Sequence, residues 1–194
     1  MRSICVFCGA SPGHNFVYRD AAAKFGKLVA EQGLELVWGG GHVGLMGVVA
    51  DAAVAAGGKV WGVIPRFMVA SELAYPADQA HPGATEIILV DDMHTRKATM
   101  AARADAFVAL PGGFGTLDEL FEILTWAQLG LHDKPIGLLN VDGFFDPLMA
   151  MVGHMRAEGF IKPQHGNFIK LADTPETLLT ELRASPRKHV TPDA

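Results

Sequence analysis

The sequence predicts one α/β domain built on a doubly wound, mostly parallel sheet of the Rossmann-like type. Two observations lead to this prediction. Short apolar runs alternate with helical segments along the chain, and the runs are continuously apolar, as in residues 3–8 and 35–38. Strands covered on both faces have this continuous pattern. Strands that alternate with helices pair in parallel through right-handed crossovers, which gives a doubly wound sheet.

The length of the chain limits the number of domains. It has 194 residues, of which 49% are apolar and 19% charged. This is enough for one domain with a substantial core and too little for two ordinary ones. We therefore expect a single domain over residues 1–184. Residues 185–194 are polar and contain Pro186 and Pro192, which is typical of a loose tail.

Strand and helix signals follow one another in order. The predicted strands are residues 3–8, 35–38, 59–64, 86–90, 105–110, 135–139 and 168–171. The predicted helices are residues 18–32, 44–56, a segment that begins near Asp92, 117–129, 146–158 and 175–183. The first helix carries Phe25, Leu28 and Val29 on one face, and Gly33 is its C-terminal stop. The stretch 65–84 contains prolines and has weak periodicity, so it is assigned to no element.

The charge and apolar patterns exclude several partners. A net charge of -5 gives no general attraction to nucleic acid or to an anionic membrane. No run of about 18 apolar residues predicts a membrane span. Met1, Arg2 and Ser3 lead directly into an apolar strand, which is unlike a signal peptide. We expect a cytoplasmic protein with no nucleic-acid or membrane partner.

The two cysteines and eight histidines do not predict a metal or redox site. Cys5 and Cys8 are three residues apart in a predicted strand, so their side chains point to opposite faces, about 10 Å apart. That distance is beyond disulfide reach, and two separate buried thiols are expected. The histidines are scattered without ligand spacing. We expect neither a metal nor a cofactor.

Three glycine-rich loops follow predicted strands. They are residues 9–13, 39–47 and 111–116, and all three should meet at the carboxyl edge of the sheet. Glycine lets backbone N–H groups approach an anion, and a helix N-terminus adds its dipole, so such loops bind phosphate. The alternative is that tight strand-to-helix turns need glycine whatever they bind. Three such loops on one edge favour a phosphorylated, nucleotide-like ligand.

The second loop formally matches the dinucleotide fingerprint through Gly39, Gly41 and Gly44. It follows the second strand, however, and the next strand ends in Pro65 and Arg66 without an acid for a ribose 2′-hydroxyl. NAD is therefore disfavoured, while Arg66 leaves NADP open. No G-K-[ST] string exists, which argues against a P-loop NTPase.

A longer pattern carries a family resemblance. The string Pro111-Gly112-Gly113-Phe114-Gly115-Thr116-Leu117-Asp118-Glu119, together with Met93-His94-Thr95-Arg96-Lys97, resembles the LOG family. These are cytokinin riboside 5′-monophosphate phosphoribohydrolases, often labelled lysine decarboxylases. The resemblance extends over nearly the whole chain and includes residues 39–47, 62–65, 125–130 and 138–143. In two places the chain departs from the pattern: the first loop has Ala10 before Ser11 where many members have two serines, and the 65–84 connection is longer than in plant members.

The resemblance implies a homodimeric enzyme that hydrolyses the N-glycosidic bond of an adenosine 5′-monophosphate derivative. The products would be a free adenine-type base and ribose 5-phosphate. Arg96 and Glu119 match the family's catalytic pair. The expected substrate-binding residues are Ser11, Gly41, Glu72, Met93, Arg96, Lys97, Gly112, Gly113, Phe114, Gly115 and Thr116.

The chemistry of this bond fits a buried carboxylate. Breaking a ribosyl C–N bond builds positive charge on C1′ and the ring oxygen, and a fixed carboxylate stabilises that charge. Glu119 could equally orient the attacking water or hold the ribose hydroxyls. Arg96 could bind the phosphate or position Glu119. The sequence identifies no proton donor for the departing base.

Other interpretations of these residues and of the whole chain remain open at this point. Thr116-x-x-Glu119 is also a helix capping box, and Arg96 and Lys97 could be solvated helix charges. Trp126, Leu129 and Leu131 are expected in the core or at a dimer contact. As to function, a carrier could use the same loops without cleaving anything. A lysine decarboxylase would need a Schiff-base lysine and pyridoxal phosphate, and Lys97 is the only lysine beside the motifs.

Overall fold

The computed structural model describes residues 1–69 and 83–185. Glu72 and residues 186–194 lie outside these ranges. The described chain forms a seven-stranded sheet in which every paired strand is parallel. The strands are β1 (Ser3–Phe7), β2 (Glu35–Trp38), β3 (Val60–Pro65), β4 (Glu86–Val90), β5 (Ala106–Ala109), β6 (Ile136–Leu139) and β7 (Ile169–Ala172). The predicted fold class is confirmed.

Helices cover both faces of this sheet. In the described ranges they are α1 (Phe16–Glu31), α2 (Gly44–Ala55), α3 (Met93–Arg103), α4 (Phe114–Gln128), α5 (Asp146–Ala157) and α6 (Pro175–Ala184). On one face α1, α2 and α6 pack around Phe25, Val49 and Leu178. On the other face α3, α4 and α5 pack around Met100, Leu120 and Phe145. No helix within residues 1–69 and 83–185 is long and apolar enough to cross a membrane.

The strand order sets the position of the ligand edge. It runs β4-β3-β2-β1-β5-β6-β7, so the chain builds outward from β1 to β4 and then returns to add β5 on the other side of β1. Val6 pairs with Val108 and Phe7 with Ala109 across this junction. The loops after β1 and β5 leave on opposite faces here, and the gap between them is the topological switch point where ligands of such sheets bind.

Two predictions about the strands have different outcomes. Cys5 and Cys8 are both buried, free thiols that belong to the cores on opposite faces, as strand geometry predicts. The expectation that all strands are covered on both faces is wrong for β4 and β7. These strands form the two edges of the sheet, and Leu89 on β4 is exposed. A continuous apolar run therefore does not distinguish an edge strand from a central one.

The observed helix starts differ most from the predicted ones where the N-cap residue is asparagine or glycine. α1 starts at Phe16, two residues before the predicted start, because the Asn15 side chain accepts from the backbone N–H of Val17. α4 starts at Phe114 instead of residue 117. Gly33 has a φ of 67°, which is the left-handed conformation that a C-terminal glycine stop requires.

Candidate active site

A cavity of about 570 Å³ opens at the switch point, between the carboxyl ends of β1 and β5. Its walls come from the first and third glycine loops and from side chains of α1, α2, α3 and α4. The lining residues are Cys8, Gly9, Ala10, Ser11, Pro12, Gly13, Tyr18, Leu45, Met46, Met68, Met93, Arg96, Pro111, Gly112, Gly113, Phe114, Gly115, Thr116, Glu119 and Phe144. Of the predicted site residues that the structure describes, only Gly41 and Lys97 lie outside this lining.

The first and third loops are joined by backbone contacts. The N–H of Gly9 donates to the carbonyl of Pro111 at 3.1 Å. A Cβ atom at Gly112 would lie 2.8 Å from the nitrogen of Gly9 and would collide with the Thr116 hydroxyl. These two glycines are therefore required by the close approach of the loops to each other. They fix one wall of the cavity.

The N-terminus of α4 forms the part of this wall that suits an anion. Its N-cap is Gly113, which has no side chain to satisfy the first N–H groups. A Cβ atom at Gly113 or Gly115 would meet no heavy atom within 4 Å, so the backbone here borders open space. Phe114 is 94% exposed and leaves the N-terminus uncovered. Free N–H groups and the positive end of the helix dipole make this wall suitable for a phosphate.

The capping-box interpretation of Thr116 and Glu119 is wrong for this structure. α4 begins at Phe114, so Thr116 is the third helical residue and Glu119 the sixth. Neither is placed to cap the helix in the reciprocal way that a capping box requires. Thr116 is only 3% exposed and its hydroxyl lies beside Gly112.

The second glycine loop packs against the first loop and contributes little to the cavity surface. The N–H of Leu45 donates to the carbonyl of Gly9 at 2.9 Å, and Gly44 lies directly against the backbone of Ala10. Only Leu45 and Met46 of this loop line the cavity. The carbonyl of Gly41 accepts a hydrogen bond from the Trp38 indole at 3.0 Å, so this carbonyl stabilises the loop and does not face the cavity.

Arg96 is the most tightly held charge in the site. It lies in the first turn of α3 and is 6% exposed. Its Nε donates to the carbonyl of Val63 at 3.1 Å, and Nη2 donates to the carbonyl of Gly39 at 3.0 Å. A Cβ atom at Gly39 would occupy the place of the guanidinium. The interpretation of Arg96 as a solvated charge is therefore wrong.

Glu119 faces the remaining nitrogen of this guanidinium. Arg96 Nη1 lies 3.8 Å from Glu119 Oε1, and the Glu119 side chain is 12% exposed. Burial raises the pKa of Glu119 to about 7, although the charge of Arg96 opposes the rise. Asp118 and Glu122 add to the rise through their negative charge, and Lys97 acts against it. Near neutral pH the carboxyl group is thus close to its own midpoint of ionisation.

Lys97 lies beside the site but points to α4. Its Nζ lies 3.1 Å from Asp118 Oδ2 and 3.0 Å from Glu122 Oε1. Burial acts to lower the pKa of Lys97, but the hydrogen bonds to Glu122 and Asp118 outweigh it and the pKa is raised. The ammonium group is therefore charged and already paired.

Several cavity residues were not predicted from the sequence. Tyr18, Phe144, Met46, Met68 and Cys8 supply apolar surface around the polar wall. Tyr18 and Phe144 form an edge-to-face pair with ring centroids 5.7 Å apart. Tyr18 lies in the segment after β1, and Phe144 lies in the segment after β6. A position after the carboxyl end of a strand was the one sequence feature that could have indicated them as site residues. Ser11 and Met93, which the family resemblance assigns to substrate binding, line the cavity.

The doubly wound sheet and its cavity define the class of this molecule: a Rossmann-like α/β protein with an anion-suited pocket at the switch point. Comparison with known proteins narrows the class. A family model described as "Possible lysine decarboxylase" matches residues 46–182. A probable cytokinin riboside 5′-monophosphate phosphoribohydrolase from Oryza sativa subsp. japonica is 47% identical over 97% of this chain and 75% of its own length. A cytokinin riboside 5′-monophosphate phosphoribohydrolase of the LOG series from Arabidopsis thaliana is 47% identical over 93% of this chain and 81% of its own length.

The chain belongs to the LOG family, as the resemblance of its motifs predicts. Solved structures share its fold at much lower identity. The molybdenum cofactor carrier protein of Chlamydomonas reinhardtii superimposes with a TM-score of 0.70 at 22% identity, over 94% of this chain and 98% of that one. The molybdenum cofactor binding protein of Rippkaea orientalis gives 0.69 at 22% identity, over 95% and 97%. These similarities show the fold alone.

Proposed function

We propose that this protein is a nucleoside 5′-monophosphate phosphoribohydrolase. It hydrolyses the N-glycosidic bond of a cytokinin riboside 5′-monophosphate or of AMP, and releases the free base and ribose 5-phosphate. One observation carries the proposal. A buried carboxylate, Glu119, lies 3.8 Å from an immobilised Arg96 in the same cavity that an uncapped helix N-terminus lines. Family membership supports it, because the relatives compared above are named for this reaction.

The two walls of the cavity have separate tasks in this proposal. The N–H groups at the start of α4 and the first loop hold the 5′-phosphate, with Ser11, Gly112, Gly113, Phe114, Gly115 and Thr116 as the contacts. Holding the phosphate places the ribose in the cavity interior, where Glu119 and Arg96 lie. Binding energy from this non-reacting group then serves to orient the reacting bond. Met93 borders the same space.

Glu119 stabilises the positive charge that develops on C1′ as the C–N bond breaks. The oxygen of water bonds to that carbon, and the proton this water loses balances the proton that the departing base takes up. A carboxylate in a site of low dielectric interacts more strongly with this charge than it would in water. Arg96 makes two hydrogen bonds to backbone carbonyls, and these hold its positive charge 3.8 Å from the Glu119 carboxylate. Its role in the proposal is thus to position the carboxylate.

A lysine decarboxylase fits the site poorly. Such enzymes use an uncharged lysine amine to form a Schiff base with pyridoxal phosphate. Lys97, the lysine beside the motifs, is charged, paired with two carboxylates and outside the cavity lining. A carrier that holds a nucleotide without cleaving it would need no buried Glu119 beside Arg96. Release of the base decides between carrier and hydrolase.

We also propose a homodimer in the cytoplasm. A groove of about 200 Å³ between α4 and α5 is lined mainly by apolar side chains, among them Phe121, Leu124 and Met149. Leu129, Leu131 and Phe160 are exposed near the ends of these helices, and together they offer an apolar surface that suits a second copy. Both cysteines are free thiols, which agrees with a reducing compartment. The molar mass from light scattering tests the dimer.

The test of the proposed reaction is chromatography of the products after incubation with AMP, isopentenyl-AMP and adenosine. Free base and ribose 5-phosphate are expected from the two monophosphates. Adenosine should react at least roughly thirtyfold less efficiently in kcat/KM, because the N-terminus of α4 then has no anion to bind. Equal efficiency for adenosine and AMP would remove the phosphate-binding part of the proposal, and no release of base would remove all of it.

A further inference from the structure

Two neighbouring basic residues leave α3 in different directions. Consecutive residues of an α-helix are about 100° apart around its axis. Arg96 extends to one carbonyl just after β2 and one within β3, and it faces Glu119. Lys97 extends to Asp118 and Glu122. The two pairs connect the same helices, α3 and α4, side by side.

The ammonium group of Lys97 is engaged by two carboxylates. The Nζ atom donates to both oxygens of Asp118, at 3.1 and 3.4 Å, and lies 3.0 Å from Glu122 Oε1. The Lys97 side chain is 12% exposed. Within the described residues, Glu122 Oε2 is buried without a hydrogen-bond partner. Among the described residues, Lys97 is the cation paired with Glu122, and without it the charge of this partly buried carboxylate would be uncompensated.

We propose that Lys97 is a positioning residue for Glu119: by bridging Asp118 and Glu122, it fixes the face of α4 that carries the carboxylate and offsets two negative charges beside it. This rests on the proposed function, in which the ionised form of Glu119 stabilises the reacting ribose. Lys97 then acts on the substrate only through α4. The rival role is direct contact between Lys97 and the substrate.

The charges around Glu119 make the effect of Lys97 measurable. Arg96 and Lys97 face it from α3, Asp118 and Glu122 accompany it on α4, and the neutral thiols of Cys5 and Cys8 lie on the β1 side. Removing the charge of Lys97 leaves Asp118 and Glu122 unopposed, so Glu119 should hold its proton to higher pH. Removing Asp118 and Glu122 as well takes away more negative than positive charge, so the pKa of Glu119 should then fall back to the wild-type value or below it.

The experiment follows the ionisation of Glu119 directly, by NMR of protein labelled with ¹³C at the glutamate side-chain carboxyl carbon, with Glu119→Gln for assignment. Lys97→Met is expected to move the midpoint of the Glu119 titration upward by about half a pH unit or more. The variant Lys97→Arg should return it close to wild type, and the triple variant Lys97→Met/Asp118→Asn/Glu122→Gln should return it to wild type or below. Lys27→Met, which removes a lysine paired with Glu31 on exposed α1 surface, is the matched control.

Kinetics with AMP separate the two roles of Lys97. As a positioning residue, Lys97→Met should lower kcat at pH 7 by roughly threefold or more and change KM by less than about twofold. The triple variant should recover the part of kcat that depends on ionised Glu119. An unmoved Glu119 midpoint, or a KM increase of roughly tenfold that the triple variant does not reverse, would overturn the proposal. If Lys97→Met does not fold, the triple variant and Lys97→Arg still distinguish the two roles of Lys97. Direct contact with the substrate predicts a high KM for the triple variant, and a positioning role does not. If wild type releases no base, the reaction is wrong, and the NMR titration still tests the effect of Lys97 on Glu119.

Discussion

The second and third glycine loops look alike in the sequence and differ in the structure. Each follows a strand and begins a helix, and the second even matches the dinucleotide fingerprint. In the second loop, Gly39, Gly44 and Gly47 lie against Arg96, Ala10 and His42, and a Cβ atom would collide at each. In the third loop, Gly113 and Gly115 border open space. A glycine pattern therefore serves packing in one loop and leaves room for a ligand in the other.

The helices that follow these loops repeat the contrast. α2 is rich in alanine and valine, and it buries Leu45, Val49 and Ala53 against the sheet and α1. α4 is also partly buried, but it carries Asp118, Glu119 and Glu122 toward α3. Changes in the second loop and α2 should therefore act on stability, and changes at the start of α4 should act on turnover.

The largest expected effect is that of Glu119→Gln on turnover. The change removes negative charge from the reacting centre, and we expect kcat for AMP to fall roughly a hundredfold or more, as for the loss of one preorganised electrostatic contact. The melting temperature at pH 8 should not fall, because Glu119 does not cap α4 and glutamine has nearly the same shape. Steady-state kinetics and thermal unfolding on one preparation test this. A fully active variant would exclude Glu119 from catalysis.

The same variant gives the next effect, which depends on pH. The pKa of Glu119 is about 7 in the folded protein and 4.5 as its ordinary value, so the folded state binds this proton more tightly. Wild type therefore loses stability relative to Glu119→Gln as the pH rises from about 4.5 through 7, by up to about 3 kcal/mol, and the loss levels off near pH 8. Thermal unfolding of both proteins between pH 5 and 8 measures the difference. A difference that stays constant over this range would contradict the raised pKa.

A matched pair of glycine substitutions tests the comparison of the loops directly. Gly44 has a φ of 57° and touches the backbone of Ala10, so Gly44→Ala should destabilise the fold by about 2 kcal/mol or more. Gly115→Ala adds a methyl group in open space inside a helix and should leave the melting temperature unchanged or slightly higher. It should nevertheless raise KM for AMP by roughly tenfold, because the methyl group occupies the position proposed for the phosphate.

Unfolding curves and AMP kinetics on both glycine variants provide the measurement. Gly44→Ala protein that still folds should keep its KM, since Gly44 does not line the cavity. The comparison fails if Gly115→Ala is the less stable of the two or binds AMP as tightly as wild type.

The smallest effect concerns Thr116. If it capped α4, Thr116→Ala would act only on stability; because it is the third helical residue and lines the cavity, we expect a second effect. The loss in stability should be about 1 kcal/mol, typical of a small buried truncation, and KM for AMP should rise a few-fold. Thr116→Ser keeps the hydroxyl and is the control for substrate binding. An unchanged KM in both variants would assign Thr116 to packing alone.

Most of the fold could be predicted from the sequence, because each element has a local signal. The predicted bounds of β2 and β4 match the structure, and Gly33 ends α1 as expected. The start of α4 could not be predicted, because glycines at positions 112, 113 and 115 have low helix propensity, and the tertiary fold overrides that propensity.

The candidate site was predictable in its loops and not in the directions of its side chains. Residues 111–116 and Arg96 follow strand ends or begin helices, and such positions can be read from the sequence. The packing of segments far apart in the chain decides where these groups point. The carbonyl of Gly41 faces Trp38 and not a ligand, and Lys97 faces α4 and not the cavity. Tyr18 and Phe144 are likewise brought to the cavity only by the order of the strands.

The position of β5 beside β1 also determines when this cavity can exist during synthesis. β1, β2, β3 and β4 pair consecutively, so the first 90 residues contain four of the seven strands. The contact between Gly9 and Pro111 closes a loop of about a hundred residues, and the chain must be complete through α4 before Glu119 can meet Arg96. Such distant pairings slow folding, and more so when the separation along the chain is larger. The newly made chain thus exposes one edge of β1 until β5 covers it, and a ribosome that pauses before residue 106 would prolong that exposure.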